Sequence, residues 1–141
     1  MDGIDLGGLN YAAIVVGVVI NQLIGMAWYT VLSRRWMAET GQTQQDMEAM
    51  KGTPRQWYPY VVAIASALVF VLGLAVLIQG LGAEDAVDGV LVGLLAAVAF
   101  IMTTSAMNYA FEGRSLCLYG INNGYHIVAF VVIGALLGAW Q

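Results

Sequence analysis

The sequence predicts an all-α integral membrane protein, a four-helix bundle with short loops and one longer one. Three observations carry that expectation. The chain is 60% hydrophobic and only 10% charged, whereas soluble domains carry about a quarter charged residues. Its apolar residues gather into four stretches, each near the roughly 20 residues that a spanning helix needs. All five Lys and Arg residues fall in loops on one side of that pattern. A small water-soluble domain leaves too much surface exposed to hide so apolar a composition. The 141 residues are expected to form a single domain.

The first span is expected at about 9–31. The acidic start, Met1-Asp2-Gly3-Ile4-Asp5, lacks the positive region that precedes the apolar core of a cleavable signal peptide, so this span is read as a retained helix. The other spans are expected at about 58–79, 87–109 and 118–140. Their apolar runs are continuous, whereas a barrel strand alternates over about ten residues. Pro59 is placed in the first turn of the second span, where a missing N–H costs nothing. The longer loop, about 32–57, contains Thr43 and Asp46 at the spacing of a capping box. It is expected to hold a short interfacial helix through Met50, with Met37, Met47 and Met50 on a membrane surface or against a partner.

Orientation follows from charge. Arg34, Arg35, Lys51 and Arg55 lie in the first loop and Arg114 in the third. The positive-inside rule puts both loops in the cytoplasm and both termini outside. Asp2, Asp5, Glu84, Asp85 and Asp88 then face outward. The localisation implied is a cytoplasmic (inner) membrane, crossed several times. Trp28, Tyr29, Trp57, Tyr58, Tyr60, Tyr109 and Tyr119 mark the inner boundary, where amphipathic rings favour the headgroup level.

Polar side chains within a bilayer are costly and face other helices or a cavity. Asn21 and Gln22 interrupt the first span. Thr103, Thr104, Ser105 and Asn108 lie along the inner part of the third, and Asn122, Asn123 and His126 in the inner half of the fourth. Tyr119, Asn122 and His126 share one helix face at spacings of three and four. Gly17, Asn21 and Gly25 form a second stripe that permits a close helix contact with an amide at its centre. These residues serve either as hydrogen-bonded joints between helices or as a polar pocket open to the cytoplasm, with His126 as a proton-sensitive group. Gly89/Gly93, Gly120/Gly124 and Gly134/Gly138 have the GxxxG spacing that lets helices approach within the bundle or between copies. Gly113 suits the positive φ of a tight turn between Glu112 and Arg114.

Several functions are disfavoured. A net charge of −4 does not suit a phosphate backbone, so no nucleic-acid partner is expected. Cys117 is the single cysteine, which rules out an intrachain disulfide. No HExxH, phosphate-binding loop, GxSxG or paired-Cys motif is present. No metal and no cofactor are therefore expected, and no residue is assigned a catalytic role.

The run Asn10-Tyr11 leads to Gly25-Met26-Ala27-Trp28-Tyr29. Further on come Asn108-Tyr109-Ala110-Phe111-Glu112-Gly113-Arg114, then Gly124-Tyr125-His126, and Gly134-Ala135-Leu136-Leu137-Gly138-Ala139-Trp140. This pattern resembles the bacterial membrane family of domain of unknown function 1761, over nearly the whole chain. The resemblance implies a small four-helix membrane protein without an assigned activity. It singles out Trp28, Tyr29, Asn108, Glu112, Arg114, Tyr125 and His126 as residues to test.

The expected function is a non-enzymatic module of the lipid bilayer, a homo-oligomer or an accessory subunit of a larger membrane complex. The alternative is an oligomeric carrier or channel for a small polar solute, its site formed by Asn21, Gln22, Asn108, Asn122 and His126. A lipid-handling role for Glu112, Arg114 and His126 is a third reading. Any site is expected to open toward the cytoplasm, where Trp28, Asn108, Glu112 and His126 would converge.

Overall fold

In a computed structural model, which describes residues 4–141, every regular element is helical. Asp2, expected on the acidic side, lies outside the described residues. A 3-10 turn at Leu6–Gly8 precedes α1 (Tyr11–Val31), whose first amides are capped by the Asn10 side chain. Leu32 joins α1 to α2 (Ser33–Thr40), which stops at Gly41 with φ 72°. The capping box forms as expected: Thr43 and Asp46 exchange hydrogen bonds at the start of α3 (Gln44–Met50). The Thr43 backbone and hydroxyl hold the exposed Asp46 carboxylate below its ordinary pKa.

The second span, α4, runs from Pro54 to Leu81 and is longer than the 58–79 stretch expected. The helix continues through Arg55 and Gln56 into the polar loop, where hydropathy gives no signal. Pro54, not Pro59, occupies the first turn, and Pro59 is internal. Its missing N–H removes the helical donor for the Arg55 carbonyl.

The third span starts at Ala86 and ends at Glu112, beyond the expected 87–109. It is not one regular helix. α5 (Ala86–Ala96) passes into a π-helical turn at Ala97–Met102 and then α6 (Thr103–Glu112). Gly113, with φ 65°, makes the tight turn. α7 (Leu116–Ala139) follows, capped by the Ser115 hydroxyl, and replaces the expected 118–140. The first span likewise begins at residue 11 in place of 9. The longer loop shrinks accordingly, with α2 and α3 filling most of it.

All four spans have the length and apolar composition to cross a membrane, so the protein is a multi-pass, four-helix membrane bundle. The four crossings place α2, α3 and the Gly113 turn at one end with all five basic residues. The 3-10 turn, the α4–α5 turn and Trp140 lie at the other end with Asp5, Glu84, Asp85 and Asp88.

α7 packs against α1, α4 and α5. Ile14, Val18, Val71, Leu74, Ile133 and Leu137 build the core between α1, α4 and α7, with Phe70 and Phe130 stacked at 4.8 Å. The α5–α7 contact is made by backbone. A Cβ added to Gly89 would overlap the Gly134 carbonyl, and one on Gly138 the Asp85 carbonyl. Two of the three GxxxG pairs are therefore consumed inside the chain. Gly120 faces open space, and Gly124 leaves room for Trp28, whose Cζ2 would be 2.8 Å from an added Cβ.

The acidic end is laced shut. Gln79 exchanges two 3.1 Å hydrogen bonds with the Asp5 backbone. The Asn10 side chain donates to the Trp140 carbonyl at 3.3 Å, and the Gln141 amide donates to the Ala83 carbonyl.

Candidate functional site at the basic end

The polar residues of the spans meet on α7. The Tyr125 hydroxyl donates to Asn21 Oδ1 at 2.6 Å, at the centre of the Gly17, Asn21, Gly25 stripe. An added Cβ on Gly25 would sit 3.5 Å from the Tyr125 ring, so the glycine makes room for that ring. One turn further toward the basic end, Trp28 Nε1 donates to the Ile121 carbonyl at 2.8 Å. Next to it, the Tyr29 hydroxyl donates to Asn122 Oδ1 at 2.8 Å, and Asn122 Nδ2 donates to the Tyr109 oxygen at 2.6 Å. One asparagine thus ties the first, third and fourth spans together.

The π turn explains how Tyr109 reaches that position. On a regular helix Gly93 and Ser105 would lie about 120° apart, since each residue turns about 100°. A π turn absorbs one extra residue, or about 100°. Both residues then face α7: Gly93 against the Phe130 backbone and Ser105 as acceptor of a 3.0 Å bond from Asn123 Nδ2. The loosened carbonyls of the turn are taken up locally. Thr103 and Thr104 hydroxyls bond back to Ala99 and Phe100, and the Tyr119 hydroxyl takes Met102 at 3.0 Å. Asn123 also donates to the Tyr119 carbonyl, but its Oδ1 is buried without a partner among the described residues.

Above this cluster is a cleft of about 640 Å³ between α2 and the α6–α7 turn. Trp36, Glu39 and Thr40 form one wall, Arg114 and Ser115 the other, and Asn122 lies at its inner end. The charges here are already engaged. Glu39 pairs with Arg35 at 3.3 Å and accepts from the Ser115 hydroxyl at 2.5 Å. The Ser115 bond, with help from Arg35, holds its carboxyl below the usual range. Arg35 Nε also donates to Cys117 Sγ at 3.1 Å. Arg114 pairs with Glu112 at 3.2 Å and lies 4.8 Å over the Tyr109 ring.

The structure brings together Asn21, Trp28, Tyr29, Asn122 and Tyr125 of the expected residues, with Arg114 at the lip. Gln22 points elsewhere and donates to the Ala63 carbonyl of α4 at 3.4 Å. His126 is half-buried with its ring 5.2 Å from that of Tyr125, and no hydrogen bond to it is found among the described residues. Asn108 is exposed, and Glu112 is an exposed partner of Arg114. The expected convergence of Trp28, Asn108, Glu112 and His126 does not form. The rotation that turns Ser105 and Tyr109 inward leaves Asn108, one residue earlier, facing out. Sequence reasoning treated Tyr109 as a boundary aromatic and set Tyr119 on the face of Asn122 and His126, without a partner for either hydroxyl. Their hydroxyls, and the Ser105–Asn123 pair, emerge from the helix rotation alone.

A family model described as protein of unknown function (DUF1761) matches residues 12–138. The chain belongs to this family. The match takes in all four spans and both walls of the basic-end cleft. Searches of curated proteins and of solved structures found no match. The DUF1761 assignment thus fixes kinship and leaves the activity to be argued from the site.

Proposed function

We propose that the protein is a non-enzymatic membrane module, an accessory subunit of a larger membrane complex or a self-associating unit, whose working face is the basic end. The observation that carries this reading is the use of the intramembrane polar groups. Asn21, Gln22 and Asn122 are spent on joining spans of the same chain, while the basic end keeps an open cleft. The internal use of Gly89, Gly93, Gly134 and Gly138 favours assembly through the basic end over a glycine-mediated dimer.

In the proposed orientation the protein sits in a bacterial inner membrane, with the basic end cytoplasmic and both termini outside, as the positive-inside rule directs. Cysteines placed at 42 and 84, in a Cys117→Ser background, test it. An impermeant thiol reagent on intact cells should label position 84 and spare 42. The reverse pattern overturns the orientation.

The assembly reading is tested by mass spectrometry of protein gently extracted from native membrane. A discrete assembly heavier than the 15.1 kDa chain is expected. A lone chain under mild extraction and cross-linking overturns it.

A second reading, an oligomeric carrier for a small polar solute, draws support from Asn122 at the inner end of the cleft and the unpartnered Asn123 Oδ1. Water-soluble thiol reagents should then reach cysteines at both 22 and 122. Complete protection of both would leave a sealed core.

A further inference from the structure

α2 and α3 fold over the basic end as a strap, α2 against α7 and α3 against α4. With α1 and α4 they border a second, open cavity beside the polar cleft, of about 690 Å³. Ligand sites run about 300–1,000 Å³. The two cavities share only Trp36.

The walls of this second cavity are mixed: aromatic and thioether side chains make most of the surface, with Ser33, Gln44, Glu48 and Lys51 along the rest. Tyr29 comes from the last turns of α1, Trp36 and Met37 from α2, Met47 from α3 and Tyr60 from the start of α4. Aromatic and thioether side chains make flat, adaptable contacts with alkyl chains. Tyr29 and Tyr60 sit where two spans leave the membrane, which is the level of lipid glycerol and phosphate. Lys51 stands at the lining and supplies a cation there.

The charge around the strap is unbalanced. Glu39 is paired with Arg35. Asp46 and Glu48 keep their charge, against Arg34, Lys51 and Arg55, none of which has an ion pair among the described residues, so the strap keeps a small excess of positive charge. Such a field attracts anionic headgroups near a membrane surface. Pro59 also lines the cavity and removes the helical donor for the Arg55 carbonyl.

From this geometry we infer that the cavity beneath the strap binds one anionic phospholipid, its phosphate at Lys51 and the start of its acyl chain between Met37, Met47 and Tyr60. The inference rests on the cavity and on the membrane-spanning fold, and does not require the assembly proposed above.

Native mass spectrometry of the full chain in detergent tests it, with phosphatidylglycerol and phosphatidylcholine of equal chain length as probes. The expected result is one saturating phosphatidylglycerol adduct, at least fivefold tighter than phosphatidylcholine. Lys51→Gln, at an exposed position, should bring the two lipids to equal affinity. Met47→Trp should fill the cavity and reduce binding of both. Arg114→Gln, in the other cleft, should leave phosphatidylglycerol binding unchanged. Equal, unsaturated uptake of both lipids by the parent chain overturns the inference. So does a phosphatidylglycerol adduct indifferent to both Lys51→Gln and Met47→Trp, or a second copy of the chain in place of the adduct. Because lipid binding and assembly mass are read separately, loss of one leaves the other to stand or fall alone.

Discussion

The Tyr125 hydroxyl and Asn21 Oδ1, 104 residues apart in the chain, are joined by a 2.6 Å hydrogen bond between the last span and the first. Asn21 is 4% exposed, so its acceptor has no water to fall back on. Tyr125→Phe should therefore cost about 1 kcal/mol in unfolding by denaturing detergent, since interhelical bonds in membranes average about 0.6 and reach about 1.7. A cycle with Asn21→Ala should show coupling in that same range. Strictly additive losses would mean that the two residues act independently.

The α5–α7 contact depends on four missing side chains. Gly134→Ala would drive a methyl into the Gly89 carbonyl, and overpacking costs about 1–3 kcal/mol. Gly120→Ala, on the same helix but facing open space, should change stability by less than about 0.5 kcal/mol. Equal effects of the two substitutions would show that these helices are not packed backbone to backbone.

Deleting Val98 should convert the π turn to regular helix and rotate α6 by about 100° against α5. Ser105 and Asn123, now bonded at 3.0 Å, would be separated. In a Cys117→Ser background, a Ser105→Cys, Asn123→Cys chain should form a disulfide under mild oxidation, and the same pair with Val98 deleted should not. Efficient cross-linking in the deleted chain would refute the rotation.

Glu39 is held below its ordinary pKa by the Ser115 hydroxyl bond first, then by the Cys117 thiol and by Arg35. A carboxyl lowered in the folded state contributes stability that is fully present above its unfolded value. That contribution is lost as pH falls through the lowered one. Carboxyl NMR should show Glu39 titrating below the ordinary glutamate range, and Ser115→Ala should move its midpoint up. If the midpoint stays put in Ser115→Ala, the hydroxyl is not the cause.

Much of the architecture was legible because lipid imposes it. Length and hydropathy located the spans, and basic residues located one end. Thr43 with Asp46 gave the cap, and Gly113 the turn. What stayed hidden lacks a side-chain signature. The π turn is written in Ala, Val, Phe, Ile and Met, like the helix around it, yet it decides that Tyr109 faces inward and Asn108 outward. The start of α4 was missed because Arg55 and Gln56 carry a helix without an apolar pattern. GxxxG spacing marked three glycine pairs, but only the fold shows that two face each other and that the third receives Trp28. At the candidate site, Asn21 and Asn122 were recognisable as costly intramembrane polarity, and Tyr125 was singled out only by the family resemblance. Their partners were not, because each lies on another helix.

The hydrogen bonds that cross between spans inside the bundle nearly all end on α7; only Gln22 to Ala63 does not. Of these four spans, α7 is also the last to leave the ribosome. The first three spans therefore enter the bilayer with Asn21, Trp28, Tyr29 and Tyr109 lacking their native partners. The finished bundle is set by a late event, the arrival of its central strut.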